Sequence, residues 1–443
     1  MDKITAPRYV RFDESLCTAC CDCVRRCPTR ALRIRNARPV LMPDQCIGCG
    51  ECIRICSAGA VSASTCELKQ FADDQISVAM VSPVLYSQFP GVPPETVLQG
   101  IRRMGFTHTV DMSYFLEMFQ FATEDFIRRN HKEEKAPWPL ISPVCPVVVR
   151  LIAYKYPSLL AHVLPVSRPV TLMAGEINRL LTERYENARH PFHLYYIVPC
   201  PTKMEPSRVS FLKNRSYVVK TLGFNDIFGE LTRELQKESQ TTLPQDFFDN
   251  YGATVSSLIW GISGGEIANL QIEHTLAVSG LQETMSYLEK IEMGMFRDME
   301  YIEFRTCREG CVGGILTAID RYLAKRDVQK TILQNGIERR ISRSEFLRFY
   351  QEGCFVKKAR PADMRHIFGI HQEPLSLENM SEIHRIMNLI NGKNCAACGA
   401  PDCRTFAEDV VRGTASLEDC LELRARQISP MTAPAYEYHP TEK

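Results

Sequence analysis

The chain has 443 residues, of which 45% are hydrophobic and 24% are charged. These fractions are close to globular averages and exclude a fibrous or wholly disordered protein. At about 150 residues per domain, the length indicates roughly three domains. Lys and Arg total 53 against 52 Asp and Glu, for a formal net charge of +1. This balance gives no electrostatic reason to expect binding to nucleic acid or to an anionic membrane surface.

Export and membrane insertion also lack support in the sequence. The first residues, MDKITAPRYVRF, contain no apolar core of a secretory signal. The most apolar region, 143–165, is interrupted by Arg150, Lys155 and four prolines, whereas a membrane helix needs about 18 or more nearly uninterrupted apolar residues. We therefore expect a cytoplasmic protein, and its 19 cysteines are then more typical of metal binding than of disulfides.

Residues 1–72 form a cysteine-dense segment in which one unit occurs twice, about 29 residues apart. The two runs are Cys17, Cys20, Cys23 and Cys27, then Cys46, Cys49, Cys52 and Cys56. Their spacing resembles that of two-cluster bacterial ferredoxins, in which the fourth cysteine of a run binds the other [4Fe–4S] cluster. A zinc site usually shows two C-x2-C pairs instead. We predict two clusters here, with Cys21 and Cys66 as buried bystanders.

Strands alternate with helices between residues 76 and 350, which predicts an α/β domain. The apolar runs 78–86 and 193–200 are typical of strands. Segment 93–106 begins with prolines and carries apolar residues at helical spacing, so it predicts a helix.

A further helix is predicted over 112–130. Glu117 and Glu124 lie seven residues apart and would share one face of that helix; we expect them to be either proton-path residues or solvated surface charges. The apolar side chains of the same helix are expected in the core. They are Tyr114, Phe115, Met118, Phe119 and Phe121.

The cysteines of the middle segment stand in three separate contexts. These are SPVCPVVVR around Cys145, VPCPTKMEP around Cys200, and EFRTCREGCVGG around Cys307 and Cys311. Taken singly, each could be an ordinary buried thiol.

A last group of cysteines follows an expected linker over 351–378 and lies in a small domain, 379–428. The group comprises Cys395, Cys398, Cys403 and Cys420. It resembles the four-cysteine [4Fe–4S] domain attached to several anaerobic redox proteins, with a four-cysteine zinc site as the alternative. Gly399 and Pro401 suit a sharp turn around a cluster. Cys354 remains unassigned, and 429–443 is expected to be a frayed tail.

Taken together and in this order, the three middle motifs resemble those of the [FeFe]-hydrogenase catalytic domain over about 76–330. The resemblance implies that Cys145, Cys200, Cys307 and Cys311 hold a [4Fe–4S] cluster. It further implies that Cys311 bridges to a two-iron subcluster carrying CO, cyanide and a dithiolate. Lys203 and Pro83 match residues beside the two cyanides. The alternatives are a surface lysine and a plain strand-end proline.

Several positions depart from the motifs of the active enzymes. Val144 replaces the cysteine that passes protons, and valine has no titratable group. Val148 stands for a tryptophan, and Val198 and Arg305 stand for methionines. Such replacements are typical of the sensory branches of the family and predict slow turnover. Arg305 leaves open whether the two-iron subcluster is present.

The sequence thus predicts a multidomain α/β (α+β) protein. It would comprise a ferredoxin-like domain with two clusters, a hydrogenase-like domain and a small C-terminal Fe–S domain, with four [4Fe–4S] clusters in all. The expected function is slow binding and splitting of H2, used to sense hydrogen or redox state in an anaerobic cytoplasm. Expected partners are H2, protons, a ferredoxin or another redox protein, and a signalling protein. The alternatives are an electron-transfer subunit with only [4Fe–4S] clusters and a cluster-assembly scaffold.

Overall fold

The computed structural model describes residues 9–66, 68, 76–131, 137–185, 192–203, 219–237, 246–336, 344, 346–347, 355, 376–390 and 392–428. Contacts divide the chain into two compact units. The larger comprises Met1–Arg11, Cys46–Gly50 and Ser62–His371, and the smaller comprises Phe12–Gln45, Glu51–Val61 and Gln372–Lys443. Cys354, most of the expected linker and the whole tail lie outside the described residues, and the domain boundaries expected from the sequence stay predictions.

The strands are short and spread along the whole described chain. They are β1 Val10–Phe12, β2 Leu32–Arg35, β3 Arg38–Leu41, β4 Val61–Ala63, β5 Ile76–Val81, β6 His108–Asp111, β7 Leu140–Ile141, β8 Phe192–Val198, β9 Val219–Gly223, β10 Thr275–Ser279 and β11 Tyr301–Arg305.

Helices alternate with these strands in the larger unit and close the chain in the smaller one. They are α1 Asp22–Arg26, α2 Glu51–Ile55, α3 Pro94–Arg103, α4 Ser113–His131, α5 Pro146–Lys155, α6 Pro169–Arg184, α7 Phe224–Gln236, α8 Leu281–Glu292, α9 Arg321–Asn335, α10 Leu377–Leu389, α11 Cys403–Val411 and α12 Leu421–Ile428.

The larger unit is built on two parallel sheets. One has the order β6-β5-β8-β9 and the other has the order β10-β11-β7. A parallel sheet is usually covered on both faces, and β5 shows this directly: Val78 and Met80 belong to one hydrophobic cluster, Ala79 and Val81 to another. The α/β architecture expected for this segment is confirmed.

Helices α4 and α6 cover one face of the four-stranded sheet, and α3, α7 and α9 cover the other. On α4 the apolar residues named in the sequence analysis behave as expected, since Phe115, Met118 and Phe119 are buried in the core. Its two glutamates are also buried, with 7% of Glu117 and 2% of Glu124 exposed. The interpretation of this pair as solvated surface charges is therefore wrong.

Prolines decide where several elements begin and end. The run 78–86 does not continue as one strand: β5 ends at Val81, and Pro83 begins a 3-10 helix, Pro83–Gln88. Proline fixes φ and has no N–H to donate to a strand ladder, which ends the pairing there. Pro146 and Pro169 occupy the first turns of α5 and α6, where the missing N–H costs nothing.

The smaller unit combines the β2–β3 hairpin with α1, α2 and the last three helices. Its two hydrophobic clusters are small, one around Val24, Leu32 and Ile34, the other around Ile386 and Phe406. Cys21 is buried as expected, whereas in the larger unit Cys66 is exposed, so the expectation of a buried Cys66 is wrong. None of the described helices is long and apolar enough to cross a membrane.

Candidate iron–sulfur and hydrogenase-type site

In the larger unit, each of the three cysteine motifs follows the carboxyl end of a parallel strand. Cys145 comes after β7 and caps the start of α5, and Cys200 comes directly after β8. Cys307 and Cys311 lie on the loop after β11, with Cys311 starting a 3-10 turn. Loops at the carboxyl ends of parallel strands are the usual place for a site in α/β folds.

The thiols of these loops lie close enough to affect one another's acidity. Burial raises the pKa of Cys200 to about 12; Lys203 opposes this, and negative charge on Cys311 and Cys145 adds to it. A thiol that is so hard to ionise by itself is stabilised as thiolate when a cationic metal centre is bound. The donor set therefore fits an iron–sulfur cluster held by one thiolate per iron.

The side chain of Lys203 contacts Cys311 and is only partly exposed. Its Nζ donates to Sγ of Cys311 at 3.8 Å. Burial by itself would lower the pKa of Lys203, but negative charge on Cys311, Tyr196 and Cys200 outweighs burial and raises it. The side chain is therefore a cationic donor beside Cys311 at any physiological pH.

A cavity lies next to Cys311, which forms part of its lining. Pro83 and Val144, both expected at the site from sequence, line it. Three lining residues are cationic and none is acidic. The full lining comprises Ser82, Pro83, Val84, Met112, Leu116, Val144, Arg168, Pro169, Val170, Tyr196, Lys203, Trp260, Arg305 and Cys311.

Arg305 is the most unusual residue of the cavity wall. Its side chain is 2% exposed and donates from Nη2 to Glu266 at 2.7 Å and from Nε to Glu303 at 3.1 Å. The remaining nitrogen, Nη1, is buried and has no hydrogen-bond partner among the residues described. A buried donor without a partner costs about 1–3 kcal/mol, so this nitrogen is an energetic cost within the site.

The two carboxylates that hold Arg305 were not identified from the sequence. Glu303 also accepts from the backbone N–H groups of Gly264, Glu266 and Ile267, at 3.3, 3.1 and 3.4 Å, and Glu266 accepts from the Tyr301 hydroxyl. Burial raises the pKa of Glu303 to about 7, against the opposing effect of Arg305. The sequence did contain a signal for the pairing of Glu303 with Arg305. The two charged residues are two positions apart in an otherwise apolar strand, so their side chains fall on the same face.

In the smaller unit, the cysteines of the first run meet one from the second. Burial raises the pKa of Cys23 to about 11, and negative charge on Cys20, Cys56 and Cys17 adds to the effect. Cys56 therefore lies near Cys23; the crossed ligand arrangement that the ferredoxin spacing predicts stays a prediction.

The remaining cysteines of the two runs are divided between the units. Cys27 and Cys52 are half-buried against the Val24 cluster of the smaller unit, and the Cys27 thiol accepts from Ala31 N–H at 3.2 Å. Cys46 and Cys49 belong to the larger unit, where the Cys46 carbonyl accepts from Arg150 at 3.1 Å. Their expected role as ligands of a second cluster stays a prediction.

The four C-terminal cysteines also converge within the smaller unit. Cys398, Cys403 and Cys420 share the hydrophobic cluster around Phe406. Burial raises the pKa of Cys398, negative charge on Cys420 and Cys395 adds to this, and Arg35 opposes it. Within the described ranges, no three His, Cys, Asp or Glu side chains are close enough to bind a single metal ion. Thiols around a four-iron cluster stand further apart, because each binds a different iron.

Three family models match successive parts of the chain. Residues 9–57 match the 4Fe-4S dicluster domain, residues 75–276 match the C-terminal domain of the iron-only hydrogenase large subunit, and residues 390–421 match a model for an Fe–S cluster segment.

Two curated proteins are also similar to parts of the chain. The NADP-reducing hydrogenase subunit HndD of Solidesulfovibrio fructosivorans is 21% identical over 315 residues, which are 65% of this chain and 53% of that protein. The chain therefore spans about half the length of that relative. An uncharacterised ferredoxin of Methanocaldococcus jannaschii is 40% identical over 55 residues, which are 12% of this chain and 89% of that protein.

Solved structures of an [FeFe]-hydrogenase from Chlamydomonas reinhardtii are similar at 14–15% identity, with TM-scores of 0.48 and 0.49; they cover 65% of this chain and 92% of theirs. On the family models, residues 75–276 form a domain of the iron-only, or [FeFe]-, hydrogenase family, with a ferredoxin-type segment before it and an Fe–S segment after it.

Proposed function

We propose that the protein binds H2 and splits it slowly at a two-iron group attached through Cys311 to a [4Fe–4S] cluster. That cluster would be held by Cys145, Cys200, Cys307 and Cys311. The observation that carries the proposal is the cavity beside Cys311, which has cationic donors and no acidic side chain in its wall. The cationic side chains of Lys203 and Arg305 in the lining suit an occupant with negatively charged or acceptor ligands such as cyanide and CO. When bound, such a group supplies an open iron at which H2 can be cleaved heterolytically.

Slow turnover follows from the titratable groups around the cavity. Val144 cannot take up a proton. Burial raises the pKa of Tyr196, and the pKa of Lys203 is raised as well. General acid–base catalysis works best when the pKa lies near the working pH. Neither side chain meets that condition, so proton exchange with the cavity would limit the rate.

A slow reaction with H2 suits detection better than bulk turnover. Electrons from the site would pass from its own [4Fe–4S] cluster to three further ones, two N-terminal and one C-terminal, whose potentials depend on burial and on hydrogen bonds to sulfur. The proposed partners are a ferredoxin or another redox protein, and a signalling protein that responds to the state of the clusters. One relative is named as a subunit of an NADP-reducing hydrogenase, and this protein could likewise act within a complex. Clustered reduced thiols suit an anaerobic cytoplasm.

A second candidate is an electron-transfer subunit that holds only [4Fe–4S] clusters. Arg305 is the observation that favours it, because this fixed, charged side chain stands in the cavity wall where active members of the family have a methionine. If the guanidinium occupies the space that a two-iron group needs, or supplies a charge that such a group does not tolerate, the cavity would not hold that group.

Infrared spectroscopy separates the two candidates. The anaerobically reconstituted protein would be supplied with a synthetic two-iron precursor and washed, with Cys311→Ser treated identically as the control. We expect CO and cyanide bands in the wild type that shift under H2, and no bands in the control. If the wild type shows no bands although its iron content accounts for the [4Fe–4S] clusters, the protein is an electron-transfer subunit.

A further inference from the structure

The C-terminal cysteine segment is built onto the β2–β3 hairpin of the ferredoxin-like segment, within one compact unit. Ile34 N–H donates to the carbonyl of Gly399 at 2.8 Å. Gly399 has φ +76°, and a Cβ placed there would lie 1.9 Å from the Ile34 carbonyl oxygen. Both the backbone conformation and the close approach require glycine at this position.

Ligand loops of the two cysteine groups pack directly on each other. Ala396, between Cys395 and Cys398, is 2% exposed and shares a hydrophobic cluster with Cys21 and Val24. Cys23 is half-buried against the same cluster. Ala396 has φ 58° and Cys21 has φ 64°, so both loops hold left-handed residues at this contact.

Arginines of the ferredoxin-like segment bind the carbonyls of two C-terminal cysteines. Nη2 of Arg25 donates to the Cys395 carbonyl at 3.1 Å, and Nη1 of Arg35 donates to the Cys398 carbonyl at 2.9 Å. These donors reach the backbone of residues that would hold the cluster, where added positive charge favours the reduced state.

A buried ion-pair network fixes the same contact. Asp409 of α11 is 5% exposed and accepts from Arg33 at 2.5 and 3.1 Å and from Arg35 at 2.5 Å. Arg30 also lies 2.7 Å from Asp402, which caps the helix that begins at Cys403. Two arginines, Arg33 and Arg35, therefore pair with the single carboxylate of Asp409. Such geometry holds only in one docking arrangement, because breaking a buried pair leaves an uncompensated charge.

We infer that the C-terminal cluster exchanges electrons directly with the cluster of Cys17, Cys20, Cys23 and Cys56, which we name the first N-terminal cluster. The path is the contact between the Cys395–Cys398 loop and the Cys17–Cys23 loop. In each exchange one cluster is oxidised and the other reduced by the same single electron, with no bond made or broken and no proton required. The two ends of the chain then form one relay and not two separate ports for electrons.

This inference rests on the cluster assignments proposed above, but not on a two-iron group or on H2. Its test therefore reads only the [4Fe–4S] clusters, in the full chain reconstituted anaerobically and reduced with dithionite. A failure of the infrared experiment would leave this test unaffected.

The first arm removes one cluster and observes the other by electron paramagnetic resonance. In the wild type we expect the reduced C-terminal cluster to show magnetic splitting and fast relaxation. The double variant Cys20→Ser/Cys23→Ser should lose both, with iron content showing that the other clusters remain. A C-terminal signal that is identical in the two proteins would overturn the inference.

The second arm keeps all cysteines and changes only the docking arginines. Arg35→Gln should shift the midpoint potential of the C-terminal cluster to a more negative value and weaken the splitting. Arg35→Lys should restore most of the potential, because it keeps the charge. The matched control is Arg38→Gln, in the same hairpin, whose side chain is 71% exposed and pairs with Glu14. If Arg35→Gln and Arg38→Gln behave alike in both measurements, the docking contact does not carry the exchange.

Discussion

Arg305 and Glu266 form an ion pair that is almost completely removed from solvent, with 2.7 Å between Nη2 and Oε2. Glu303 accepts from Nε of the same guanidinium at 3.1 Å. The pair fixes the position of the Arg305 guanidinium in the wall of the cavity beside Cys311. Arg305 is the last residue of the strand that leads to Cys307 and Cys311. The ion pair therefore affects both the stability of the fold and the surroundings of the site.

Arg305→Met should therefore destabilise the protein by about 3–5 kcal/mol, because two buried carboxylates lose their cation. Arg308→Met, at an exposed position three residues away, should change stability by less than about 0.5 kcal/mol. The free energy of unfolding from urea titrations of anaerobically reconstituted protein measures both. Equal stability of the two variants would contradict the structural role of the pair.

The loss caused by Arg305→Met should also depend on pH. Burial already raises the pKa of Glu303 to about 7, from the ordinary value of 4.5. An acid whose pKa is raised on folding costs stability as pH rises through that interval, and removing the cation raises the pKa further. We expect a larger loss at pH 8 than at pH 5.5. The urea titrations, repeated at both values, check this; a loss independent of pH would mean that Glu303 stays in one protonation state.

Val144→Cys should restore a proton carrier to the cavity. General acid–base groups typically contribute about 10²–10⁴-fold to a rate, so exchange of deuterium between D2 and water should rise by about 10²-fold or more. Val144→Ala is the matched control, since it shortens the side chain without adding a titratable group. The rate is measured by mass spectrometry on protein with equal infrared band intensity. An unchanged rate in Val144→Cys would show that proton delivery is not what slows the reaction.

Lys203→Met should reduce the affinity for the two-iron precursor. A hydrogen bond from a charged donor contributes about 1.5–3 kcal/mol, which corresponds to about 10- to 100-fold in affinity. Infrared band intensity per iron, as a function of precursor concentration, gives this value. Lys330→Met, on the exposed face of α9, serves as the control. If the two variants load the precursor equally, Lys203 does not contact it.

Gly399→Ala should destabilise the smaller unit far more than Gly413→Ala does. Both glycines have positive φ, +76° and +72°, so each substitution carries the strain of a left-handed residue, about 1–2 kcal/mol. Only at Gly399 would the new Cβ also clash with a carbonyl oxygen; at Gly413 nothing lies within 4 Å. Hydrogen exchange of the Ile34 amide measures the contact directly. Equal protection of the Ile34 amide in the two variants would mean that the backbone at residue 399 can move away from Ile34 without a loss of stability.

The sequence predicted well those features that depend on neighbours along the chain. Ligands of one cluster loop must come from residues two or three apart, so the cysteine runs were visible as spacing alone. The alternation of strands and helices likewise follows from local periodicity, and the structure confirms it in β5, β8 and α4. The predicted strand 78–86 was too long, because its apolar pattern continues past Pro83. The strand ends at Val81 and Pro83 begins a 3-10 helix.

Burial and pairing between distant segments could not be inferred in this way. Glu117 and Glu124 are buried, which overturns only the surface-charge alternative for this pair. Cys66 is exposed, contrary to expectation. Exposure depends on which segments pack over a residue. The Arg305 pair with Glu266 joins residues 39 positions apart, and the Asp409 pair with Arg33 joins residues 376 positions apart. The sequence by itself therefore determined the chemistry of the sites, through the identity and spacing of their donors. Only the tertiary structure decided which charges face the cavity and which cysteine loops touch, because these contacts arise when remote segments pack together.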